Sequence, residues 1–530
     1  MRHAHIGFRS SERTAEAMAT IHAAVADAGG RVDRFGITLD WSMGYPAALR
    51  EGRPRSTGIV LGSPDEMALF TNASPAACHF GDFMLGLPGA MDNVPAALQA
   101  GVTAIGNLGQ YFTFRLPYWD DDVATTEATV EAIALIAAQP VPVLVHSNLD
   151  DGFAALFRDM VSSIGMVLVE RYVVEELLGG HLATCYGHHF SEPLTRHAFH
   201  AALARVSVSP GSMIYGNTVA YRSTPAGNYA HLASYLFTDI IGLTRHPTGH
   251  AINPVPVTEN ERIPDVDEII DAQVFADRAI RAAPGLGAVA DWREADAIAD
   301  RLVEGGEAFK ANVLAGLADD GIDITDAAQV LLALKRLGAR AIEARFAVAR
   351  ADDPAVKAGW VTELEEMAQT WRQHVPEGTA ATLSGLRVAI ATSDVHEHGK
   401  HYLETALAPL GLVCLDAGVS VDPEAVVAAA QRDGAQALLI STYNGVALSY
   451  AKGIMTALEE AALDLPVLIG GRINQVPEAS NTGLPVDVSG PLRELGVHVC
   501  ADLDDALAPL TAAAERARAL SPQQELPETS

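Results

Sequence analysis

Short apolar runs alternate with amphipathic stretches along the first half of the chain. Between the runs, segments such as Thr14–Ala28 and Thr126–Ala138 carry apolar residues at helical spacing. Strand followed by helix, repeated many times, predicts a parallel sheet, and this number of repeats favours a (β/α)8 TIM-type barrel over an open sheet. We assign this barrel to residues 1–264. The runs interpreted as strands are Val32–Asp40, Gly101–Gly109, Val141–Asn148, Gly165–Glu170, His181–His189, Val206–Asn217 and Ile240–His250.

Residues 265–380 show a different pattern, with one helical stretch after another and no strand-like run. We expect a helical connector with little catalytic chemistry. The predicted helices are Asp265–Ala282, Glu294–Ala318, Asp326–Ala349 and Val361–His374.

Residues 381–516 return to alternating strands and helices, five strands in all. This order is typical of a Rossmann-like, flavodoxin-like domain with a doubly wound sheet. Residues 517–530 are polar with two prolines, and we expect a disordered tail. The predicted strands are Arg387–Thr392, Leu412–Leu415, Ala437–Ile440, Val467–Ile469 and Val497–Cys500.

Composition narrows the class of partner. The chain has 530 residues, with 36 Lys+Arg against 66 Asp+Glu and a net charge of −30. Such a surface repels nucleic-acid phosphates and anionic lipid, so we expect a small-molecule substrate, no nucleic acid and no membrane partner. None of the four cysteines forms a CxxC pair, and the N-terminus lacks an apolar signal core, which favours a cytoplasmic protein. The sequence is also compatible with a homodimer, and it does not decide the oligomeric state.

The first strand of the C-terminal domain runs into a D-x-H-x-x-G motif formed by Asp394, His396 and Gly399. The Asp394 carboxylate could accept the Nδ1–H of His396, which would leave Nε2 as a basic metal ligand. Gly399 would let the backbone approach a large ligand. A capped helix N-terminus with surface histidines would also explain this motif taken alone.

Two further features fall on the same rim of the predicted sheet. The third strand ends in Ser441 and Thr442, with Gly445 shortly after, and the fourth ends in Gly470 and Gly471. Hydroxyls and glycines at the carboxyl ends of neighbouring strands leave room for a flat, polar ligand.

Residues 386–515 resemble the cobalamin-binding domain of B12-dependent mutases and methionine synthase. In that family the cobalamin binds base-off: its benzimidazole tail enters a slot in the domain, and a histidine coordinates cobalt from below. The resemblance implies that His396 is the cobalt ligand and Asp394 its partner. It places Ser441, Thr442 and Gly445 along the tail slot, with Gly470 and Gly471 beside the nucleotide loop. One departure is Tyr443, where many relatives have leucine in an S-x-L motif.

The predicted barrel has polar residues at the ends of its strands, where such barrels place their catalytic groups. Each histidine alone is more typical of a hydrogen-bonded packing residue, and no HxH or HExxH spacing indicates a metal site. We expect these side chains to meet at one mouth. They are Asp40, Asn107, His146, Asn148, His188, His189, Tyr215, Asn217 and His250.

The barrel also resembles the large subunit of glutamate mutase, or methylaspartate mutase. Gly106–Tyr118 is similar to that family's S-N-E-G-G-G-x-S-Y-N-V-P-Y segment, and Thr244–Ile252 to its K-T-P-H-E-A-I run. The family binds a dicarboxylate with three arginines and a catalytic glutamate. Arg9 corresponds to one arginine, the other two are missing, and Leu108 replaces the glutamate. The resemblance, with Arg115 as a replacement cation, therefore implies a substrate other than glutamate.

We interpret the chain as an adenosylcobalamin-dependent radical isomerase, a carbon-skeleton mutase. A methylcobalamin-dependent methyltransferase, a CoA-ester mutase and a non-catalytic cobalamin carrier or light sensor are the alternatives. The candidate substrate-site residues are Arg9, Asn107, Arg115, Tyr118, His146, His188, His189 and His250.

Overall fold

The computed structural model describes the chain except for residues 9, 54–57, 217, 219–220, 222–223, 260–262, 351–352, 395–396, 444, 476–485 and 521–530. The chain divides into two compact units, Met1–Val361 and Thr362–Ser530. Within the described residues, no helix combines the length and apolar character needed to cross a bilayer.

Eight parallel strands form a barrel in the first unit, and each pairs with the next in chain order. A parallel bridge between Arg2 and Ile252 joins the last strand to the first, and the Ile252 amide donates to the Met1 carbonyl at 3.0 Å. The predicted barrel is therefore confirmed. Its strands are β1 (His3–Ile6), β2 (Arg34–Ile37), β3 (Ala77–Phe80), β4 (Ala104–Gly106), β5 (Leu144–Asn148), β6 (Leu182–Tyr186), β7 (Met213–Ile214) and β8 (Ala251–Ile252).

Helices follow the strands and continue beyond the barrel. The helix α10 (Arg293–Asp319) packs on α6 (Met160–Arg171) and α7 (Pro193–Val206), so the predicted connector region belongs in large part to the first unit. The helices of this part of the chain are α1 (Ser11–Asp27), α2 (Pro64–Thr71), α3 (Ala90–Gln99), α4 (Leu108–Thr113), α5 (Asp122–Ala137), α6 (Met160–Arg171), α7 (Pro193–Val206), α8 (Pro225–Arg245), α9 (Val266–Val289), α10 (Arg293–Asp319) and α11 (Ala327–Phe346).

Two predicted barrel strands are wrong. Gly165–Glu170 lies inside α6, a helix buried on almost every side, so its sequence lacks the polar face that marks a helix. A Cβ on Gly165 would lie 2.3 Å from the Phe309 ring, which shows how closely α10 approaches. Ile240–His250 begins in α8, and the true strand β8 starts only after His250.

The second unit is built on five parallel strands in the order β10-β9-β11-β12-β15. Numbered within the domain, this is 2-1-3-4-5, the flavodoxin-like order, which confirms the predicted class. An antiparallel pair, β13 with β14, lies outside the main sheet. The strands are β9 (Arg387–Thr392), β10 (Val413–Val419), β11 (Ala437–Thr442), β12 (Val467–Gly471), β13 (Asn474–Gln475), β14 (Val486–Asp487) and β15 (His498–Cys500).

Both faces of the main sheet are covered by apolar side chains. Ile390 and Leu439 belong to one buried cluster, while Ala391 and Ile440 belong to the other, as the alternation along a strand requires. The helices are α12 (Gly359–Arg372), α13 (Thr379–Leu383), α14 (His398–Leu407), α15 (Pro423–Arg432), α16 (Ala447–Glu460), α17 (Ser489–Glu494) and α18 (Asp504–Leu520).

The helix α18 extends four residues beyond the boundary at residue 516 where the sequence predicted a disordered tail. Leu510, Ala513 and Ala514 are buried in the cluster that packs on the sheet, and this burial carries the helix on to Leu520. The rest of the predicted tail, 521–530, lies outside the described residues.

Candidate functional site

The connections that follow β9 and β11 leave these neighbouring strands in opposite directions along the sheet. In open α/β sheets such a switch point leaves a crevice beyond the carboxyl ends of the two strands, and ligands bind there. Asp394 follows β9, while Ser441 and Thr442 end β11. The structure thus brings three of the predicted cofactor residues together at the switch point.

Asp394 links the two loops that border this crevice. Its side chain is buried, with 2% of the residue exposed. Oδ2 accepts the Tyr443 amide at 2.8 Å and the Ser393 hydroxyl at 3.2 Å. The Ser393 amide in turn donates to the Ser441 carbonyl at 3.0 Å. The predicted cobalt ligand, His396, lies outside the described residues.

Gly399 lies against the end of β11, near the start of α14. A Cβ added there would lie 2.0 Å from the Ser441 Oγ. Only glycine lets the helix come so close to this strand. The predicted close approach at Gly399 is therefore made, in this structure, to Ser441.

Thr442 carries a buried hydroxyl without a hydrogen-bond partner among the described residues. Its carbonyl accepts the Arg472 amide at 2.8 Å, and a Cβ on Gly471 would lie 2.4 Å from the same oxygen. Gly471 has φ of 96°, and Gly445, one turn beyond β11, has φ of 72°. A polar group inserted at this edge would supply the partner that the Thr442 hydroxyl lacks among the described residues.

Asn107 is the centre of a hydrogen-bond network at the carboxyl end of β4. Its Oδ1 accepts the amides of Gly109 and Asn148, both at 2.8 Å. Its Nδ2 therefore points toward Asp151 Oδ2, at 2.8 Å, and Asp82 Oδ1, at 3.4 Å. These four partners use both donors and both acceptor positions of the amide, so Asn107 ties the loops of the mouth together.

His188 and His189 follow β6 and share one carboxylate. Asp150 accepts both backbone amides at 2.9 Å, and its Oδ1 lies 3.3 Å from the His189 Nδ1. Burial alone would raise the pKa of Asp150, but its hydrogen bonds and the His189 and His188 charges lower it below the usual range. His188 also lies on the ring of Tyr215, with centroids 4.4 Å apart.

His146 points into the barrel from β5. The Ser212 hydroxyl donates to the Thr184 carbonyl at 3.2 Å, so it must accept from the His146 Nδ1–H at 2.8 Å. Burial lowers the pKa of His146 to about 3, helped by the Arg34 charge. The ring is therefore neutral near pH 7, with its lone pair on Nε2.

Three of the predicted substrate-site residues, His250, Arg115 and Tyr118, do not join this group. His250 precedes β8 and lies at the amino end of the barrel, so its predicted place at a carboxyl end is wrong. Its Nδ1 lies 2.6 Å from the Thr248 hydroxyl, and burial lowers its pKa to about 3. Arg115 and Tyr118 follow α4 and are exposed, Tyr118 by 61%. Arg9 lies outside the described residues.

Sequence reasoning missed the acidic side chains of the mouth. Asp150 and Asp151 follow β5 directly, and their position after the predicted strand end was an available signal. Asp82 follows β3, a strand that the sequence did not reveal, and burial raises its pKa to about 6. Together with Asn107 these carboxylates make the described mouth hydrogen-bonding and acidic rather than cationic.

Comparison with known proteins identifies the second unit. Residues 386–494 match the family model of the B12 binding domain, so the chain carries a B12-binding domain there and binds cobalamin. The chain is similar to glutamate mutase sigma subunit 1 from Haloarcula marismortui, with 31% identity over 86 residues. That match covers 16% of this chain and 57% of the relative.

A solved cobalamin-binding protein from Desulfitobacterium hafniense is also similar, with 17% identity over 28% of this chain and 77% of that one. The TM-score is 0.20, and a likeness of this size says nothing about function. The predicted cobalamin-binding domain is confirmed by the family match. The resemblance of the barrel to the glutamate mutase large subunit stays a prediction.

Proposed function

We propose that the protein is an adenosylcobalamin-dependent radical isomerase, a carbon-skeleton mutase that acts on a small organic acid other than glutamate. The observation that carries this proposal is the presence, in one chain, of a B12-binding domain and a (β/α)8 barrel with a built hydrogen-bond network at its mouth. A carrier or sensor of cobalamin needs no such network. The similarity to a glutamate mutase subunit supports the mutase class.

The cofactor would be held base-off by the rim of the second unit, with His396 as the lower ligand and Asp394 as the partner of that ligand. The Thr442 hydroxyl, which has no partner in the described part of the chain, and the glycines around it fit the polar tail of a cobalamin. When bound, adenosylcobalamin supplies a carbon-centred radical by homolysis of its cobalt–carbon bond. The protein orients the cofactor and excludes water from the radical.

The barrel would hold the substrate through hydrogen bonds. Asn107 would hold the loops of the mouth in place through its protein partners, and His146 is neutral, so neither side chain adds a charge to the barrel. Asp82 and Asp151 lie beside Asn107 and repel carboxylates, so each anionic group on a substrate adds a cost. A substrate with a single anionic group fits this arrangement better than glutamate or 3-methylaspartate.

The experiment is incubation of the adenosylcobalamin-loaded protein with candidate acids, followed by NMR of the products and EPR of the frozen reaction. We expect a rearranged product and a coupled cobalt(II)–radical signal with a monocarboxylate, and negligible turnover of glutamate. Rapid glutamate isomerisation would contradict the substrate argument. Methyl transfer without a radical signal would contradict the isomerase itself.

A further inference from the structure

Arg472 and Tyr443 form a stacked pair at the carboxyl rim of the second unit. The guanidinium carbon of Arg472 lies 4.8 Å from the centroid of the Tyr443 ring. Arg472 follows β12 and Tyr443 follows β11, so the arginine side chain leans from its own strand toward the switch point.

The backbone around this pair is held at several points. The Arg472 amide donates to the Thr442 carbonyl, and the Tyr443 amide donates to Asp394 at 2.8 Å. The positive φ of Gly471 lets the chain turn directly after β12. The guanidinium is thus carried on a short, fixed segment beside the residues that border the crevice.

A bound cobalamin brings a negative charge to this rim. Its nucleotide tail is joined to the corrin ring by a phosphodiester, and the protein itself has a net charge of −30. A cation beside this phosphodiester would offset the repulsion that it meets from the negative charge of the protein. Lys400, another cation close to this rim, has only 1% of its side chain exposed and is paired with Asp416.

We infer that Arg472, held on the ring of Tyr443, binds the phosphodiester of the nucleotide tail of bound cobalamin. Arginine presents a planar fork of donors that matches phosphate oxygens, and stacking on tyrosine fixes that plane. The pair would thereby select cofactors with a complete tail. The inference rests on cobalamin binding and is independent of the reaction proposed for the barrel.

The test is a set of binding titrations with three ligands, followed by visible absorption and protein fluorescence. Cobalamin has both the phosphodiester and the base, cobinamide phosphate has a phosphate without the base, and cobinamide has neither. For Arg472→Ala we expect affinity to fall about 10- to 100-fold for the first two ligands and to stay within about twofold for cobinamide. The control is Arg493→Ala, which removes an exposed arginine from α17 and should change none of the three affinities.

Any other pattern of affinities overturns the inference. If Arg472→Ala loses affinity for cobalamin alone, Arg472 contacts the base rather than the phosphodiester. If it loses affinity equally for all three ligands, or for none, Arg472 does not recognise the anion. If Arg472→Ala does not fold, Arg472→Gln keeps hydrogen-bond donors without the charge and carries the same test. The affinity of the unaltered protein for cobalamin should also fall with salt more steeply than that of the variant. Failure of the unaltered protein to bind any of the three ligands would contradict cobalamin binding and, with it, the isomerase proposal. A failed Arg472 test in a protein that still binds cobalamin would leave the isomerase proposal standing.

Discussion

The Tyr443 amide donates a hydrogen bond to the buried Asp394 carboxylate at 2.8 Å. This contact joins the loop after β9, which contains the predicted cobalt ligand, to the loop after β11, where the family resemblance places the tail slot. Asp394 is therefore held on one side by the protein, independently of any bound cofactor. A carboxylate fixed in this way can orient a neighbouring histidine without rearranging.

Replacement of Asp394 by asparagine should weaken cobalamin binding. The substitution keeps the shape of the side chain but removes the negative charge that, in the proposed partnership, would raise the basicity of His396. Losses of this kind are about 10- to 100-fold in metal affinity or activity, and a spectroscopic titration measures them. Asp433→Asn, at a half-buried position at the end of α15 where the carboxylate pairs with Arg432, is the matched control. Equal affinity of Asp394→Asn and the unaltered protein would refute the Asp–His partnership.

Thr442→Val should have opposite effects on the empty and the loaded protein. The Thr442 hydroxyl is buried without a partner among the described residues, so its removal should leave the free energy of unfolding of the empty protein unchanged or raise it by about 1 kcal/mol. Cobalamin affinity should fall about tenfold, because the hydroxyl loses its contact with the tail.

Thermal unfolding with and without cobalamin separates these two effects. Thr442→Ser, which keeps the hydroxyl, should retain most of the affinity. If Thr442→Val binds cobalamin as tightly as the unaltered protein, Thr442 does not contact the cofactor.

Gly471→Ala should destabilise the second unit. The residue has φ of 96°, and the new Cβ would lie 2.4 Å from the Thr442 carbonyl oxygen. Both effects disfavour alanine, and the free energy of unfolding should fall by about 2 kcal/mol or more. Gly490→Ala on α17 meets no atom within 4 Å and should be close to neutral. Calorimetry of both variants makes the comparison, and equal unfolding of the two would contradict this account of the rim.

The buried Glu170 should lower the free energy of unfolding of the first unit as the pH rises. Burial raises its pKa to about 7, although the Ser147 hydroxyl partly offsets this. Below about pH 4.5 both the folded and unfolded states are protonated. Between that pH and about 7 the unfolded state releases its proton first, so stability falls by about 3 kcal/mol in total and then levels off.

Chemical unfolding across this pH range tests the prediction with Glu170→Gln, which should lack that decline. Glu127→Gln, at an exposed position on α5, should keep it. The same slope in Glu170→Gln and the unaltered protein would show that another group is responsible.

The sequence predicted the second unit better than the first because its central strands are mainly unbroken apolar runs. The prediction for Arg387–Thr392 matches β9, an almost wholly apolar run. In the barrel, β1 and β3 were missed because histidines stand at inward positions. His3 and His79 are fully buried, and a polar residue in the core breaks the apolar pattern from which a strand is recognised.

The missed strands explain the missed part of the candidate site. Asp82 follows β3, and its place at the mouth cannot be predicted unless β3 has been recognised as a strand. His250 was misplaced for a related reason: the apolar end of α8 was interpreted as a strand, which put the histidine at the wrong end of the barrel. The hydrogen bond between Asn107 and Asp151 forms because the ends of β4 and β5 lie side by side in the folded barrel. A local sequence pattern carries no information about such a contact.

The most direct measurement of the central claim is EPR of the protein loaded with cob(II)alamin, in which His396 is expected to ligate cobalt. Nitrogen superhyperfine splitting should be a triplet with ordinary histidine and a doublet when the protein is labelled with ¹⁵N-histidine. The splitting by a protein nitrogen should vanish in His396→Ala. A triplet that stays unchanged in the ¹⁵N-histidine-labelled protein and in His396→Ala would show that the cobalt nitrogen ligand is the cofactor's own base. That result would contradict the base-off, histidine-bound account.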